Sequence, residues 1–298
     1  MWVSLAFLSA LLLGLYDVAK KHSLKDNAVL PVLWLNTLFS SIIFLPALLD
    51  SVVGAGWLDG TLFATAQGSW RDHAMVFVKA VMVLSSWIFG YFGIKHLPIT
   101  IVGPINATRP VLTLCGAMLI FGERLNGYQW VGVILAIVSL YLLSRSSKKE
   151  GVDFAHNRWI LCVAAAALIG VGCGLYDRYI MYSMNAVFVQ SWYTLYQFML
   201  MSVIVAVLWL PKRKEQHFHW SWAIPMISIL LTAGDMAYLH ALTDGAAMIA
   251  VVAMIRRSSV VVSFTCGAML FGERNLKAKA LDLALILVGM IFLYIGSK

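Results

Sequence analysis

The chain has 298 residues, of which 61% are hydrophobic and only 12% are charged, and its mean hydropathy is +0.84. A soluble domain has roughly 45 to 50% apolar residues, so this composition excludes an ordinary soluble protein and indicates a membrane protein. The net charge of +8 comes mostly from short loops, where Lys and Arg face anionic lipid, and it does not indicate a nucleic-acid ligand.

Apolar segments of membrane-spanning length follow one another along the whole chain. The first segment lacks a basic start and a cleavage pattern, which favours a retained helix over a signal peptide. The sequence therefore predicts an all-α membrane protein. Breaks at charged residues and at Pro or Gly predict ten helices, at 2–24, 28–49, 73–94, 97–120, 127–144, 159–181, 184–210, 221–242, 246–270 and 278–296.

A charged linker at 145–158 divides the ten segments into two sets of five. The motif CGAMLIFGER before the linker returns as CGAMLFGER after it, and GLYD at 14–17 returns at 174–177. These recurrences predict an internal duplication, with a first repeat at 1–144 and a second at 159–298. A constant offset relates four further residues of each half, namely Asn27, Ala28, Val29 and Trp34 with Asn185, Ala186, Val187 and Trp192.

The odd number of spans in each repeat determines how the two repeats are related. After five crossings the second repeat enters the membrane from the opposite face, so the copies are inverted about an axis in the membrane plane. Rocking of inverted halves exposes a midplane site first to one side and then to the other. The sequence thus predicts ten transmembrane helices as two inverted five-helix repeats around a central cavity.

The FGER motif, followed in each half by an apolar span that contains glycine, resembles the paired EamA-like repeats of the drug/metabolite transporter superfamily. Pro110 precedes Glu123 in the first copy, and Glu273 occupies the matching place in the second. The resemblance covers essentially the whole chain. It implies a cavity lined by the first four helices of each half, for amino acids, sugars, nucleotide sugars, sugar phosphates or drugs. Asn36 departs from the pattern, since many members carry Arg there, and Val260 replaces the proline in the second repeat.

Three arginines lie deep within the fourth and ninth predicted helices. Arg256 and Arg257 are the only charged residues between Asp244 and Glu273, and Arg109 is the only charged residue of its own segment. Insertion of an arginine at a helix centre costs about 2.5 to 3.5 kcal/mol, and the guanidinium does not lose its proton. The three arginines therefore require water, a counter-charge or a ligand.

The positive charge at this depth predicts an anion site. A gap-free alignment of INATRP with IRRSSV places Asn106 opposite Arg256 and Ser259 opposite Arg109. Asp235, in the eighth predicted helix, is expected to pair with one arginine but does not balance three. The planar donors of arginine suit a carboxylate or phosphate. The basic pair in the ninth helix also resembles that of the phosphate-translocator branch of the superfamily, which implies phosphate binding.

Further candidate binding residues lie in the other spans. Lys79 is either a cavity cation or a snorkelling residue at the membrane interface. Asp235 and His240 are alternative sites for a coupling proton. Tyrosine and tryptophan in spans are as often packing or interface anchors as ligand contacts. The remaining candidates sit at matching places in the two halves or carry polar groups within spans: Tyr16, Tyr176, Trp34, Asn36, Trp192, Tyr196 and Gln197.

Pro104 and Pro110 predict a kink in the fourth helix, which frees backbone carbonyls that can line a cavity. The ninth helix has no proline, which implies that the two halves are not functionally identical. The membrane orientation stays open. Basic loop residues mostly follow odd-numbered spans and favour termini outside the cytoplasm, whereas the resemblance implies cytoplasmic termini.

We therefore expect a secondary transporter in the plasma (inner) membrane, an exporter or exchanger of a small polar, anionic metabolite such as a carboxylate, amino acid or phosphorylated compound. The expected partners are the substrate, the lipid bilayer and a coupling proton or ion. No Walker-type phosphate loop occurs, so ATP is not the expected energy source, and no cofactor or metal is expected. One alternative is an exporter of cationic or amphipathic drugs. An intramembrane enzyme is disfavoured because the HExxH and GxSxG motifs are absent.

Overall fold

The computed structural model describes residues 2–61, 63–109, 111–112, 126–148, 156–181, 183–215, 217–243, 255–271 and 276–296. In these residues all regular structure is helical. The helices are α1 (Trp2–Ser23), α2 (Val29–Ile43), α3 (Leu45–Val53), α4 (Trp70–His96), α5 (Ile99–Ala107), α6 (Gly127–Lys148), α7 (Arg158–Met181), α8 (Ala186–Ile204), α9 (Ala223–Thr243), α10 (Ser259–Phe271) and α11 (Leu276–Gly296).

Several of these helices are long and apolar enough to cross a membrane. Within the described ranges there are five such spans, and six if α2 and α3, which meet at an angle of 54°, count as one. Gly127–Leu143 and Ala223–Tyr238 are shorter apolar helices. The prediction of an all-α, multi-pass membrane protein is confirmed. The FGER motifs with Glu123 and Glu273, like Pro110, lie outside the described residues.

The second predicted span, 28–49, is not one straight helix. α2 ends at Ile43, and α3 begins at Leu45 with Pro46 in its first turn. Proline has no backbone N–H to continue the ladder of α2, but it is well suited to begin a new helix. α3 then continues to Val53, and Gly54 ends it in the left-handed conformation (φ +67°). The sequence analysis therefore missed both the bend and the true end of this segment.

The fourth and ninth predicted spans are interrupted at positions that the alignment of the two halves pairs. Thr108 forms a turn after α5, and Ser258 forms a turn between the helical residues 255–257 and α10. The Thr108 hydroxyl donates to the Ile105 carbonyl (2.7 Å), and the Ser258 hydroxyl donates to the Ile255 carbonyl (2.6 Å). Such bonds compete with the helical ladder. The ninth span is thus interrupted without a proline. In the fourth span Pro104 lies inside α5 without ending it, and Pro110 lies outside the described residues.

The main helix contacts join the first half of the chain to the second. α1 packs on α9, α4 on α7, α2 on α8, α5 on α10, and α6 on α11. Glycine permits the closest approaches, as is usual between membrane helices. A Cβ atom at Gly14 would overlap the side chain of Val262 in α10, and one at Gly93 would overlap Val163 in α7. These contacts bring the interrupted segments together in the interior.

Candidate functional site

Asp235 of α9 and Arg256 form an ion pair in the interior. The Arg256 guanidinium donates to one carboxylate oxygen of Asp235, and the two side chains are only 23% and 16% exposed. Gln190 Nε2 of α8 donates to the other carboxylate oxygen (3.3 Å). The guanidinium carbon also lies 4.2 Å from the ring centre of Tyr238, a cation–π contact. The pairing of Asp235 with one arginine, expected from the sequence, is thus present.

A second ion pair joins α4 to α7. Lys79 Nζ lies 2.7 Å from Asp177 Oδ1, and Lys79 is only 6% exposed. The same ammonium lies 4.9 Å from the ring centre of Tyr193, whose hydroxyl accepts from Gln190 Nε2 (3.4 Å). Lys79 therefore does not snorkel to the interface, because it is buried and its charge is neutralised.

Gln190 and Tyr193 link the two ion pairs into one continuous set of contacts across four helices and the helical residues 255–257. We call this set the interior polar network. Its members are Lys79, Asp177, Gln190, Tyr193, Asp235 and Arg256.

Two further arginines lie beside the interior polar network. Arg257 is partly buried, and no carboxylate in the described part of the chain forms an ion pair with it. The like charges of Arg109 and Arg256 act on it electrostatically. Arg109 Nη2 donates to the Ala166 carbonyl of α7 (3.4 Å), and the guanidinium packs against Gly170. The three predicted arginines therefore converge from the two interrupted segments.

Asn106 and Ser259 come from the same interrupted segments. Asn106 Oδ1 is buried and has no hydrogen-bond donor among the described residues. Ser259 is 9% exposed and begins α10. A buried amide oxygen without a donor is unfavourable unless water or a ligand supplies one. Asn106 is therefore a candidate contact for a polar group of a ligand.

Asn36 and Tyr16 belong to the packing around α1, α2 and α4. Asn36 is fully buried, donates to the Tyr91 hydroxyl (3.1 Å) and accepts from the Ser228 hydroxyl (2.8 Å). Tyr16 is also buried, and the Lys20 ammonium lies 4.4 Å from its ring centre. These contacts occupy both polar atoms of the Asn36 amide, so its role here is to join α2 to α4 and α9.

The remaining aromatic candidates make hydrogen bonds between helices. Trp34 Nε1 donates to the Ser202 hydroxyl (2.8 Å), and Trp192 Nε1 donates to the Ser51 hydroxyl (3.1 Å). Tyr176 donates to a backbone carbonyl of α4, that of residue 75 (3.1 Å). The hydrogen bonds of the two tryptophans are reciprocal, since each links the second span of one half to that of the other.

Tyr196 and Gln197 of α8 differ in burial, since Tyr196 is partly buried and Gln197 is fully buried. The Tyr196 hydroxyl is hydrogen-bonded to His73 Nδ1 (2.9 Å), within a group of aromatic rings at the start of α4. Gln197 is 1% exposed, and its Nε2 is buried with no acceptor in the described residues. Of the two, only Gln197 retains an unused polar group in the interior.

Comparison with known proteins gives a family for the first half of the chain. Residues 1–145 match the EamA-like transporter family. The first half is an EamA-like segment of the drug/metabolite transporter superfamily. The resemblance stated from the sequence is thus confirmed there, and the family together with the apolar helices supports a multi-pass membrane transporter.

The fold of this chain is also present among solved structures, of which 25 chains match. One, titled "Crystal structure of protein", has a TM-score of 0.65, covering 98% of this chain and 95% of that chain at 16% identity. Similarity at this identity shows a shared fold and does not extend to the ligand. A comparison with curated proteins gives no match.

The sequence analysis did not select Gln190 and Tyr193. Together with Gln197 they lie at positions i, i+3 and i+7 of α8, which is the spacing of one helix face. That polar stripe in an apolar helix was the available signal. It was missed because the residues of this span were not compared along one helix face, and the constant offset places the apolar Val32 and Leu35 opposite Gln190 and Tyr193.

Proposed function

We propose that this protein is a secondary transporter of small anionic metabolites, an exporter or exchanger in the plasma (inner) membrane. The observation that carries the proposal is Arg257. It lies partly buried beside Arg256, and the described residues supply it with no carboxylate. Because arginine stays protonated, a guanidinium at this depth favours a ligand that carries negative charge. Carboxylates and phosphates match its planar donors.

The neighbouring residues support this assignment. The ion pairs Lys79–Asp177 and Arg256–Asp235 are each neutral, so Arg257 adds positive charge to the interior polar network rather than completing a pair. The buried Asn106 oxygen, to which no described residue donates, can accept from a hydroxyl or ammonium of the same ligand. A ligand with an acidic group and a polar hydrogen, such as a hydroxy acid, an amino acid or a sugar phosphate, satisfies both residues.

We also propose the ten-helix arrangement of two inverted repeats around a central cavity, and the helix contacts support the two-fold relation of the repeats. When the first five predicted spans are exchanged with the second five, the α1–α9 contact becomes the α7–α4 contact. The same exchange leaves the contacts α2–α8, α5–α10 and α6–α11 unchanged. A pseudo-two-fold axis has this effect.

The paired asparagines of the two halves support the same symmetry. Asn27 Nδ2 donates to the His219 carbonyl (2.8 Å), just before α9. Asn185 Nδ2 donates to the Ala64 carbonyl (3.4 Å), in the segment before α4. In each half, therefore, the asparagine before the second span bonds to the segment that precedes the third span of the other half.

Alternating access would act on the two interrupted segments. Arg109 follows the turn at Thr108, and Arg256 and Arg257 precede the turn at Ser258. Non-helical backbone within a membrane is tolerated where it lines a cavity or is buried in protein. A coupling proton would act at Asp235, because protonation of that carboxyl group removes the charge that holds Arg256.

The test is transport by the purified protein in proteoliposomes, with uptake or exchange followed by mass spectrometry. We expect competition by carboxylates or organic phosphates, strongly weakened in Arg257→Gln and partly retained in Arg257→Lys. The matched control is Arg158→Gln, which removes an exposed cation at the start of α7.

Two results would overturn the proposal. One is competition by lipophilic cations alone, which would favour the drug-exporter alternative. In the structure Asp235 is already bound to Arg256, so a cationic drug would first have to displace that arginine. The other is an Arg257→Gln variant whose apparent KM for the anion equals that of the Arg158→Gln control.

A further inference from the structure

An apolar groove of about 370 Å³ lies between α2 and the end of α8. This volume is within the range of small-molecule sites, about 300 to 1,000 Å³. The one hydroxyl among its lining residues, that of Ser202, already donates to the Phe198 carbonyl and accepts from Trp34. The groove thus presents an apolar surface, with principal lining residues Trp34, Val205, Ala206, Trp209, Leu210 and Trp220.

The groove forms where the end of α8 widens. After Ile204 the chain makes a π-helical turn (Val205–Trp209) and then a 3₁₀ turn (Leu210–Lys212). Pro211 has no N–H for an α-helical bond, which favours such a change of helix type. π-Helical turns occur frequently at functional sites.

The indole N–H of Trp209 is an unused donor among the described residues at this groove. Its Nε1 is buried and has no acceptor in the described part of the chain, while the side chain lines the groove. A buried indole N–H normally finds a partner, because an unsatisfied donor is unfavourable. A ligand in the groove is therefore expected to offer an acceptor at the level of Trp209.

Basic residues follow the groove directly. Lys212, Arg213 and Lys214 are all exposed, and Glu215 is the acidic residue beside them, so the segment 212–215 carries three positive charges and one negative, a net of +2. The candidate span Ala186–Lys212 ends at the first of these residues. The basic segment therefore lies at the membrane boundary, where such clusters attract anionic lipid headgroups.

Exposed aromatic residues place the groove at the same boundary. Trp220, which lines it, is 50% exposed, and Trp222 is 80% exposed. Tryptophan is enriched at the level of the lipid headgroups. Leu210, also at the groove, is 46% exposed, so the groove is open to the surrounding lipid.

We propose that this groove binds an anionic phospholipid. The acyl chain lies along the apolar walls, the Trp209 N–H donates to an ester carbonyl, and the phosphate meets Lys212, Arg213 and Lys214. This site shares no residue with the interior polar network, so the assignment is independent of the proposed transport function. A free phosphate ion lacks the chain that fills the groove, and a zwitterionic lipid lacks the net charge that the basic segment selects.

The experiment compares phosphatidylglycerol with phosphatidylcholine of the same acyl chains on the delipidated, detergent-purified protein, with thermal unfolding as the readout. Each basic residue near a charged surface contributes about fivefold, so the net charge of the segment predicts a preference of about tenfold or more for phosphatidylglycerol. Inorganic phosphate should leave the melting temperature unchanged. Native mass spectrometry of the wild-type protein with an equimolar mixture of the two lipids should show enrichment of phosphatidylglycerol.

Variants separate the parts of the site. Replacing Lys212, Arg213 and Lys214 together by Gln should abolish the preference for phosphatidylglycerol. Trp209→Phe should weaken the binding of both lipids equally, because both carry ester carbonyls. The matched control changes three exposed cations elsewhere: Arg71→Gln, Arg158→Gln and Lys277→Gln.

Three results would overturn the proposal. The first is an equal rise in melting temperature of the wild-type protein with the two lipids. The second is a lipid preference that remains after the 212–214 triple substitution as it does in the control. The third is stabilisation by inorganic phosphate equal to that by phosphatidylglycerol. The mass-spectrometric comparison needs no variant, so it remains decisive if the triple variant does not fold.

Discussion

The ion pair between Asp235 and Arg256 gives the strongest prediction about stability. Asp235→Asn keeps the shape of the side chain but leaves the guanidinium without its carboxylate. Removal of one partner of a buried ion pair costs about 3 to 5 kcal/mol. The side chains keep 16% and 23% exposure, and the cation–π contact with Tyr238, about 0.5 to 1 kcal/mol at exposed sites, remains. We therefore expect a loss of about 2 to 4 kcal/mol.

This loss is measurable as a shift in melting temperature. For chains of roughly this size each kcal/mol shifts Tm by about 2 to 4 °C, so Asp235→Asn should lower Tm by about 4 to 16 °C. A double variant, Asp235→Leu with Arg256→Met, should recover most of the loss, because well-packed apolar residues often replace a buried ion pair without cost. The coupling energy from the single variants Asp235→Leu and Arg256→Met and their double variant should be about 1 to 3 kcal/mol.

The assay is thermal unfolding in detergent followed by tryptophan fluorescence, with Asp59→Asn, an exposed acid in the loop after α3, as control. The reasoning is refuted if Asp235→Asn unfolds within about 1 °C of the control, which corresponds to less than about 0.5 kcal/mol. It is equally refuted if the double variant is as unstable as the single one, because the destabilisation would then not come from the unpaired arginine.

Two matched pairs from the internal repeat test the packing. Gly14→Ala should destabilise by about 1 to 3 kcal/mol, because its Cβ would overlap Val262, whereas Gly174→Ala should be neutral or stabilising by up to about 1 kcal/mol, since a Cβ there meets nothing within 4 Å. Equal effects on Tm would contradict this packing. Asn27→Ala should cost about 1 to 3 kcal/mol because Asn27 is buried and bonds on both sides of its amide, whereas Asn185→Ala should cost about 1 kcal/mol as the loss of an exposed N-cap. A larger decrease of Tm for Asn185→Ala would reverse this assignment.

The existence of the spans could be predicted from hydropathy, but the depth of individual residues within them could not. Lys79 lies about a turn and a half into the predicted helix 73–94, which made snorkelling reasonable. α4 begins three residues earlier, at Trp70, where Ser69 and Asp72 form a reciprocal cap. Lys79 is therefore about two and a half turns from the helix start and faces Asp177. The polar residues of the cap were taken for loop, although their spacing is that of a capping box.

The candidate site could be predicted in part for a similar reason. A charge in an apolar run is conspicuous, so the arginines were found, and Asp235 was found as the acid at comparable depth. The residues that connect the charges were missed because a neutral polar side chain changes the hydropathy of an apolar span only slightly. Gln190 and Tyr193 acquire their importance only when α8 is placed against α4 and α9, which hydropathy does not report.

The competition for Arg256 links stability to the proposed transport. In the wild-type protein Asp235 occupies the guanidinium, so an anionic substrate gains little from Arg256 and depends on Arg257. In Asp235→Asn both arginines become available to the substrate, and the anion replaces the lost carboxylate. A saturating carboxylate or organic phosphate should therefore raise the Tm of Asp235→Asn more than that of the wild type, although the variant starts lower, because ligand stabilisation grows with affinity. Equal ligand-induced shifts in the two proteins would mean that Arg256 takes no part in anion binding and serves only to hold α9 in place.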